Sequence, residues 1–244
     1  CLVGSEMCIR DSRYAGEAYF CRACKYAELI FFYGDVPYQE ETITISEALQ
    51  RGRRPKAEVI PLVYADFDKA IAGLPESYGK DENIHPTKGA ALAMKARFAL
   101  YMGDYEIAAQ AAKACMDLKL YSLEPDYAKL FKQSTKLNDE KVFVIPRSIE
   151  NEVMLDSWIV KNGLPRNAGG YGSYNPSWDL LASYLCTDGL PIDESPLFDP
   201  RKPFKNRDPR CTMTIVEFNT EHCGFEYDPS PCLLYTSPSP RDMR

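Results

Sequence analysis

Between residues 156 and 178 the chain carries Asp156, Trp158, Asn162, Arg166, Asn167, Tyr171, Tyr174 and Trp178, interleaved with Gly163, Gly169, Gly170 and Gly172. Flat aromatic faces take up apolar C–H surface, and amide, carboxylate and guanidinium groups at their edges take up hydroxyls. A sugar ring presents both kinds of surface, so this mixture suits one. Trp158, Tyr171, Tyr174, Asn167 and Arg166 are the candidate ligand-binding residues. Trp178 lies inside a short helical pattern and reads as core.

The other residue types that carry chemistry point away from catalysis. Glycosidase work needs two carboxylates held across one bond in contrasting environments. Asp188, Asp193, Glu194, Asp199 and Asp208 are each flanked by Pro, Gly or Arg, which reads as turn formation and surface pairing. His85 precedes Pro86 in a loop and His222 stands apart from it, and no Ser-His-Asp order, zinc-ligand spacing or phosphate loop occurs. Cys21, Cys24 and Cys115 lie in helical patterns and read as small buried hydrophobes. Cys21 and Cys24 lack the second ligand pair or strand-turn-helix setting that a metal or redox role requires. No catalytic residue, metal ligand or cofactor is expected.

The elements that must position the candidate residues are mostly helical. Glu17 to Tyr33 is too dense in apolar residues for a narrow stripe and predicts a largely buried helix, stopped at Gly34-Asp35-Val36-Pro37. A second helix covers Ala57 to Ala72, with Pro61 either at the limit of its first turn or ahead of a later start. The basic run Arg51, Arg53, Arg54 and Lys56 reads as a solvated loop between these helices. Thr87 caps a helix Lys88–Met102, Gly103-Asp104 breaks it, and Tyr105–Leu118 follows. Ala90, Ala91, Ala93, Ala96 and Ala99 are expected to face Ala108, Ala109, Ala111, Ala112 and Ala114, as in a tetratricopeptide unit. One such unit cannot bury its own faces, so the earlier helices should stack on it. Val142 to Ile145 reads as a buried strand or core segment, and Pro176 to Tyr184 as a short helix with Asn175 as its cap. Asn206-Arg207-Asp208-Pro209-Arg210 reads as a buried turn held by its guanidinium and carboxylate groups.

With 45% hydrophobic and 26% charged residues and a formal charge of −6, the composition is that of an acidic globular protein, and nucleic acid is excluded as a partner. The two ends are a separate matter. One DNA string read from both strands encodes Leu2 to Asp11 and, in reverse complement, Cys232 to Asp242. Residues 1–12 and 232–244 are therefore set aside as translated adapter. The remainder is expected to be one domain, tetratricopeptide-like over 13–131 and loop-rich on its ligand side over 132–231.

Five motifs in order resemble those of the SusD-like (RagB/SusD) family. They are the helix ending in Gly34-Asp35-Val36-Pro37; the Lys88-Gly89-Ala90-Ala91-Leu92-Ala93 helix joined by Tyr101-Met102-Gly103-Asp104-Tyr105 to its partner; Tyr121-Ser122-Leu123; Asn175-Pro176 with the Asp188-Gly189-Leu190-Pro191-Ile192 turn; and Asn206 to Arg210. The resemblance implies a mainly α fold of tetratricopeptide-like helical pairs with a loop-rich, irregular region on one side. It further implies an outer-membrane, cell-surface lipoprotein that binds oligosaccharides and delivers them to a SusC-like TonB-dependent transporter, without enzymatic activity. Family members run to about twice this length, so this chain reads as an internal fragment without the N-terminal lipid anchor. Peptide capture by the same kind of uptake complex, or a tetratricopeptide-like adaptor that binds protein, are the alternative readings.

Overall fold

Gly16, Phe20, Ala23, Ala27 and Ile30 recur at three- and four-residue steps and are buried, which turns one stripe of the first helix, α1 (Val3–Tyr33), toward its neighbours. The helix ends where expected: Gly34 adopts φ 69° and its N–H bonds the Ile30 carbonyl at 3.0 Å. Burial is narrower than the apolar density suggested, because Cys21, Leu29 and Phe31 are exposed. Cys21 is therefore not the buried hydrophobe expected of it, whereas Cys115 is, and burial of the half-exposed Cys24 thiol pushes its pKa up to about 12.

The computed structural model describes residues 3–79, 85–132, 135, 138–145, 161–164, 168–222 and 224–227. They belong to two units, Cys1–Pro146 and Arg147–Arg244. In the first, a capping box between Thr44 and Glu47 starts a short exposed helix, α2 (Ile45–Gln50), that periodicity did not reveal. Helix α3 (Lys56–Gly73) then packs along α1. Pro61 lies inside α3. Its missing N–H falls opposite Ala57, and both residues are exposed, so the carbonyl that loses its donor is open to solvent.

A charged pair clamps α1 to α3. Arg22 Nε and Nη2 each donate to the Asp66 carboxylate at 2.6 Å, and Asp66 is 1% exposed. Tyr38, on the segment after the Gly34 stop, donates to the same carboxylate at 3.3 Å. Its hydroxyl is pushed up to about 12, first by burial and then by the Asp66 charge. Lys69 approaches Asp66 to 3.9 Å, so two cations and a phenol share one buried anion. Val59, Val63 and Phe67 of α3 pack beside it in the core with Ala23, Ala27 and Ile30.

The helix pair follows its sequence signals. Thr87 Oγ1 accepts the Ala90 N–H at 3.2 Å and starts α4 (Lys88–Met102). Gly103 ends it at φ 85°, a left-handed conformation that a side chain would resist, and α5 (Tyr105–Asp117) returns alongside. Ala90, Ala91 and Ala99 are buried, as are Ala108 and Ala111, but Ala109, Ala112 and Ala114 face outward. Three of the five alanines of the second set are thus surface, because among the described residues α5 packs chiefly against α4. The earlier helices stack on the pair as expected, with α3 against α4. A four-residue helix, α6 (Tyr127–Leu130), is capped by Asp126.

Val142 to Ile145, expected as a buried strand or core segment, is neither a strand nor buried. The segment is irregular, with Phe143 and Ile145 exposed, although the Phe143 ring meets Phe20 edge-on at 5.3 Å. Four β-favouring residues need a neighbouring ladder, and among the described residues none lies beside them.

The second unit contains a helical turn at 161–163, α7 (Trp178–Ser183), α8 (Arg210–Thr214) and a two-stranded hairpin of β1 (Glu221–His222) with β2 (Phe225–Glu226). Leu181, Phe204, Cys211 and Ile215 form its small core. No helix among the described residues is long and apolar enough to cross a membrane.

Removing the buried anion should loosen the first unit. Asp66→Asn is expected to lower the unfolding free energy by about 2 to 4 kcal/mol, read from the denaturant midpoint. Asp68→Asn, which disturbs the Lys95 pair through a carboxylate that is largely exposed, should change it by less than about 1 kcal/mol. Equal midpoints for the two variants would mean that the Arg22–Asp66 pair does not clamp the helices.

Candidate functional site

The glycine-rich loop is held by its own backbone. The Tyr171 N–H bonds the Lys161 carbonyl at 2.7 Å, Gly172 N–H bonds that of Leu164 at 2.9 Å, and the N–H groups of Ser173 and Tyr174 both bond the Asn162 carbonyl at 3.0 Å. A Cβ at Gly170 would sit 2.1 Å from the Leu164 carbonyl oxygen, so only glycine permits this approach. Asn175 Nδ2 donates to the Gly172 carbonyl at 2.8 Å, and Ser177 Oγ accepts the Leu180 N–H at 3.1 Å. Residues 171–177 therefore form a fixed platform.

That platform displays its aromatic residues. Tyr171 is 46% exposed and Tyr174 is 63% exposed. Trp178, expected in the core, is 69% exposed at the start of α7. The helix begins two residues later than the pattern suggested, with Ser177 rather than Asn175 as cap, and this shift carries the indole outward. Asn162 is 4% exposed, so in this unit it is a supporting residue. Trp158, Arg166 and Asn167, like Asp156, lie outside the described residues.

At the end of α7 a buried guanidinium gathers main-chain carbonyls. Arg207, 5% exposed, donates through Nη2 to the carbonyls of Leu181 at 2.5 Å and Tyr184 at 2.6 Å, with Ala182 at 3.4 Å, and through Nη1 to Pro203 at 3.1 Å. It satisfies carbonyls that the end of α7 leaves without donors. Main-chain bonds from Thr187 to Asn206 and from Asp208 to Leu185, each 2.9 Å, tie the same two segments. A turn over Asn206 to Arg210 is thus present, but it is not the buried turn expected: Arg207 alone is buried, Asp208 is half-buried, and Asn206, Pro209 and Arg210 are exposed.

The carboxylates of this region serve turns. Asp188 accepts the Ser195 hydroxyl at 2.6 Å and the Leu190 N–H at 3.1 Å, and these bonds lower its pKa. Asp199 accepts the Arg201 N–H at 2.9 Å. Asp208 is held at about 2, chiefly by the Arg210 side chain and then by the Arg210 N–H. In the first unit, His85 stacks near Tyr78 and lies 3.2 Å from a Glu17 carboxylate oxygen. Among the described residues no group of three or more His, Cys, Asp or Glu side chains is placed to hold a metal.

Two cavities in the first unit carry no signal in the sequence pattern. An open apolar groove of about 710 Å³ runs along α1 and α4, lined by Phe20, Cys24, Phe31, Met94, Phe98 and Tyr101 among others. A recess of about 300 Å³ is lined by Tyr78, His85, Tyr121, Asp139 and Lys141 with their neighbours. Both are assembled from side chains far apart in sequence.

Residues 5–100 match the model of a SusD-like family described as "Starch-binding associating with outer membrane". SusD-like protein P2 of Formosa agariphila is 35% identical over 124 residues, which make up 48% of this chain and 24% of that protein. The fold agrees with the crystal structure of a SusD-like carbohydrate-binding protein from Bacteroides fragilis NCTC 9343, with a TM-score of 0.84 at 30% identity over 91% of this chain and 44% of that one. A second SusD-like protein from the same organism gives a TM-score of 0.71 at 28% identity over 87% of this chain and 44% of that one. The chain thus spans less than half of the solved relatives and about a quarter of the curated one. Sequence and fold together support a SusD-like fragment, and its mainly α architecture agrees with these structures.

Two tests address the turn. Arg207→Met should destabilise the second unit by about 2 to 5 kcal/mol, since it leaves several buried carbonyls without donors; an unchanged melting curve would contradict the seat described for it. The Asp208 carboxyl should titrate near pH 2 by NMR and return toward about 4 in Arg210→Gln. Because its folded pKa lies below the unfolded one, the stability it contributes is complete above about pH 4 and is lost as pH falls through about 2.

Proposed function

We propose that this chain is part of a cell-surface protein of the outer membrane that captures oligosaccharides and passes them to a TonB-dependent transporter. The observation that carries this reading is the fixed platform of residues 171–177, which shows Tyr171, Tyr174 and Trp178 to solvent. Exposed flat aromatics on a rigid backbone lose little conformational entropy when a sugar ring stacks on them. Trp158, Arg166 and Asn167 complete the site in this reading and supply a further face and polar edges. Similarity to a carbohydrate-binding SusD-like protein supports the ligand class, and the family description supports the outer-membrane setting.

Capture without turnover suits this chemistry. Two carboxylates of the same unit, Asp188 and Asp208, are occupied by hydrogen bonds that hold them ionised, and a general acid needs the opposite shift. Handover to a transporter calls for modest affinity, roughly micromolar to millimolar.

Calorimetric titration of the complete gene product against oligosaccharides and peptides tests the reading. One sugar class should bind without hydrolysis, and Tyr171→Ala, Tyr174→Ala, Trp158→Ala and Trp178→Ala should each weaken it by about 3- to 10-fold. Binding of peptides alone, or sugar binding indifferent to all four substitutions, would remove the assignment.

A further inference from the structure

In a chain of formal charge −6, residues 197–210 carry five basic and two acidic side chains. Two of the basic ones are already engaged: Arg207 with carbonyls and Arg210 with Asp208. The other three, Arg201, Lys202 and Lys205, line one recess of about 300 Å³ with Pro203, Phe204, Glu217, Phe218 and Asn219. Among the described residues none of these three cations forms an ion pair. Elsewhere such pairs are common, as at Arg22, Lys25, Arg54, Lys69, Lys88, Lys95 and Lys113.

The recess is built on a firm base. Its apolar wall is Phe204, 7% exposed and packed in the core, against Phe218 with the rings edge-on at 5.1 Å. Its basic wall is a compact turn, with Arg201 N–H on the Asp199 carboxylate at 2.9 Å, Lys202 N–H on the Asp199 carbonyl at 2.9 Å and Lys205 N–H on the Lys202 carbonyl at 3.0 Å. The same wall rests on a buried positive charge, since Arg207 donates to the carbonyl of Pro203 and is stabilised by carbonyl dipoles, which leave its net charge in place. Field from that guanidinium adds to the three exposed cations and is less screened than theirs. Among the described residues Glu217 is the one carboxylate lining the recess, and it offers an acceptor to hydroxyls.

We propose that this recess binds an anionic group of the ligand, a carboxylate or a sulfate, so that the captured oligosaccharide is an acidic one. Cations without an ion pair among the described residues, beside an apolar wall and an acceptor, fit a charged, hydroxylated ring better than a neutral chain, which offers them no counter-charge. The inference rests on the capture reading and names the ligand class within it.

The test titrates the complete gene product with a sulfated galacto-oligosaccharide, its desulfated counterpart, an oligogalacturonate and inorganic sulfate, at low and raised salt. The sulfated sugar, the oligogalacturonate or both should bind about 5- to 20-fold tighter than the desulfated sugar at low salt, with the advantage shrinking as salt rises. The sulfated and carboxylated arms tell which anion is preferred, and weak binding of inorganic sulfate alone is expected. Lys202→Gln/Lys205→Gln, and separately Arg201→Gln, should remove the advantage, leave the desulfated sugar's affinity unchanged and leave the melting temperature intact. Desulfated-sugar binding with no gain from charge, or a gain that survives both variants, overturns the anion site and leaves the capture reading standing. Loss of every sugar, charged and neutral, overturns both.

Discussion

Buried main-chain carbonyls must find donors, and among the described residues of the second unit regular structure is too short to supply them all from its own ladders. Arg207 meets that demand. One guanidinium reaches the end of α7 and the turn at Pro203, and so reinforces the main-chain bonds and the small core that join these segments. The platform before α7 and the basic turn before Arg207 are both anchored through it. In the first unit a comparable dependence falls on Asp66, the buried anion that Arg22, Lys69 and Tyr38 surround. In each unit a charge taken out of water is stabilised by several partners and fixes how neighbouring segments meet.

The two charges have different consequences. Asp66 is matched by cations, and the packing around it is helix on helix, so the result is a rigid scaffold. Arg207 is matched by dipoles alone, so its positive field extends to the surface formed by Arg201, Lys202 and Lys205. The aromatic platform adds a third kind of recognition. Its backbone bonds to Lys161, Asn162 and Leu164 carry the cost of order before any ligand arrives.

Local signals were legible wherever one residue type answers one backbone need. The stop at Gly34, the Thr87 cap and the Gly103 break each lie where their chemistry requires, and the order of five short motifs carried the family resemblance. The Asn206–Arg210 turn was legible for the same reason. The Asn175 cap was not, because Ser177 offered an equally good oxygen two residues later and Asn175 was drawn to the Gly172 carbonyl instead. That shift decided the exposure of Trp178.

What the sequence determined by itself is therefore the helical character, the principal helix ends, the glycine-rich loop and the kinds of side chain it could offer. Tertiary structure alone decided which of them face water. Among the described residues Val142 to Ile145 has strand-forming side chains but no strand beside it, Cys21 and three alanines of α5 are exposed, and Asn162 is buried beneath the loop it was expected to decorate. The basic recess likewise arises because Glu217 and Phe218 fold back beside residues 201–205. Periodicity reports which face of an element is apolar, and only the arrival of a partner, set by contacts distant in sequence, determines whether that face is covered.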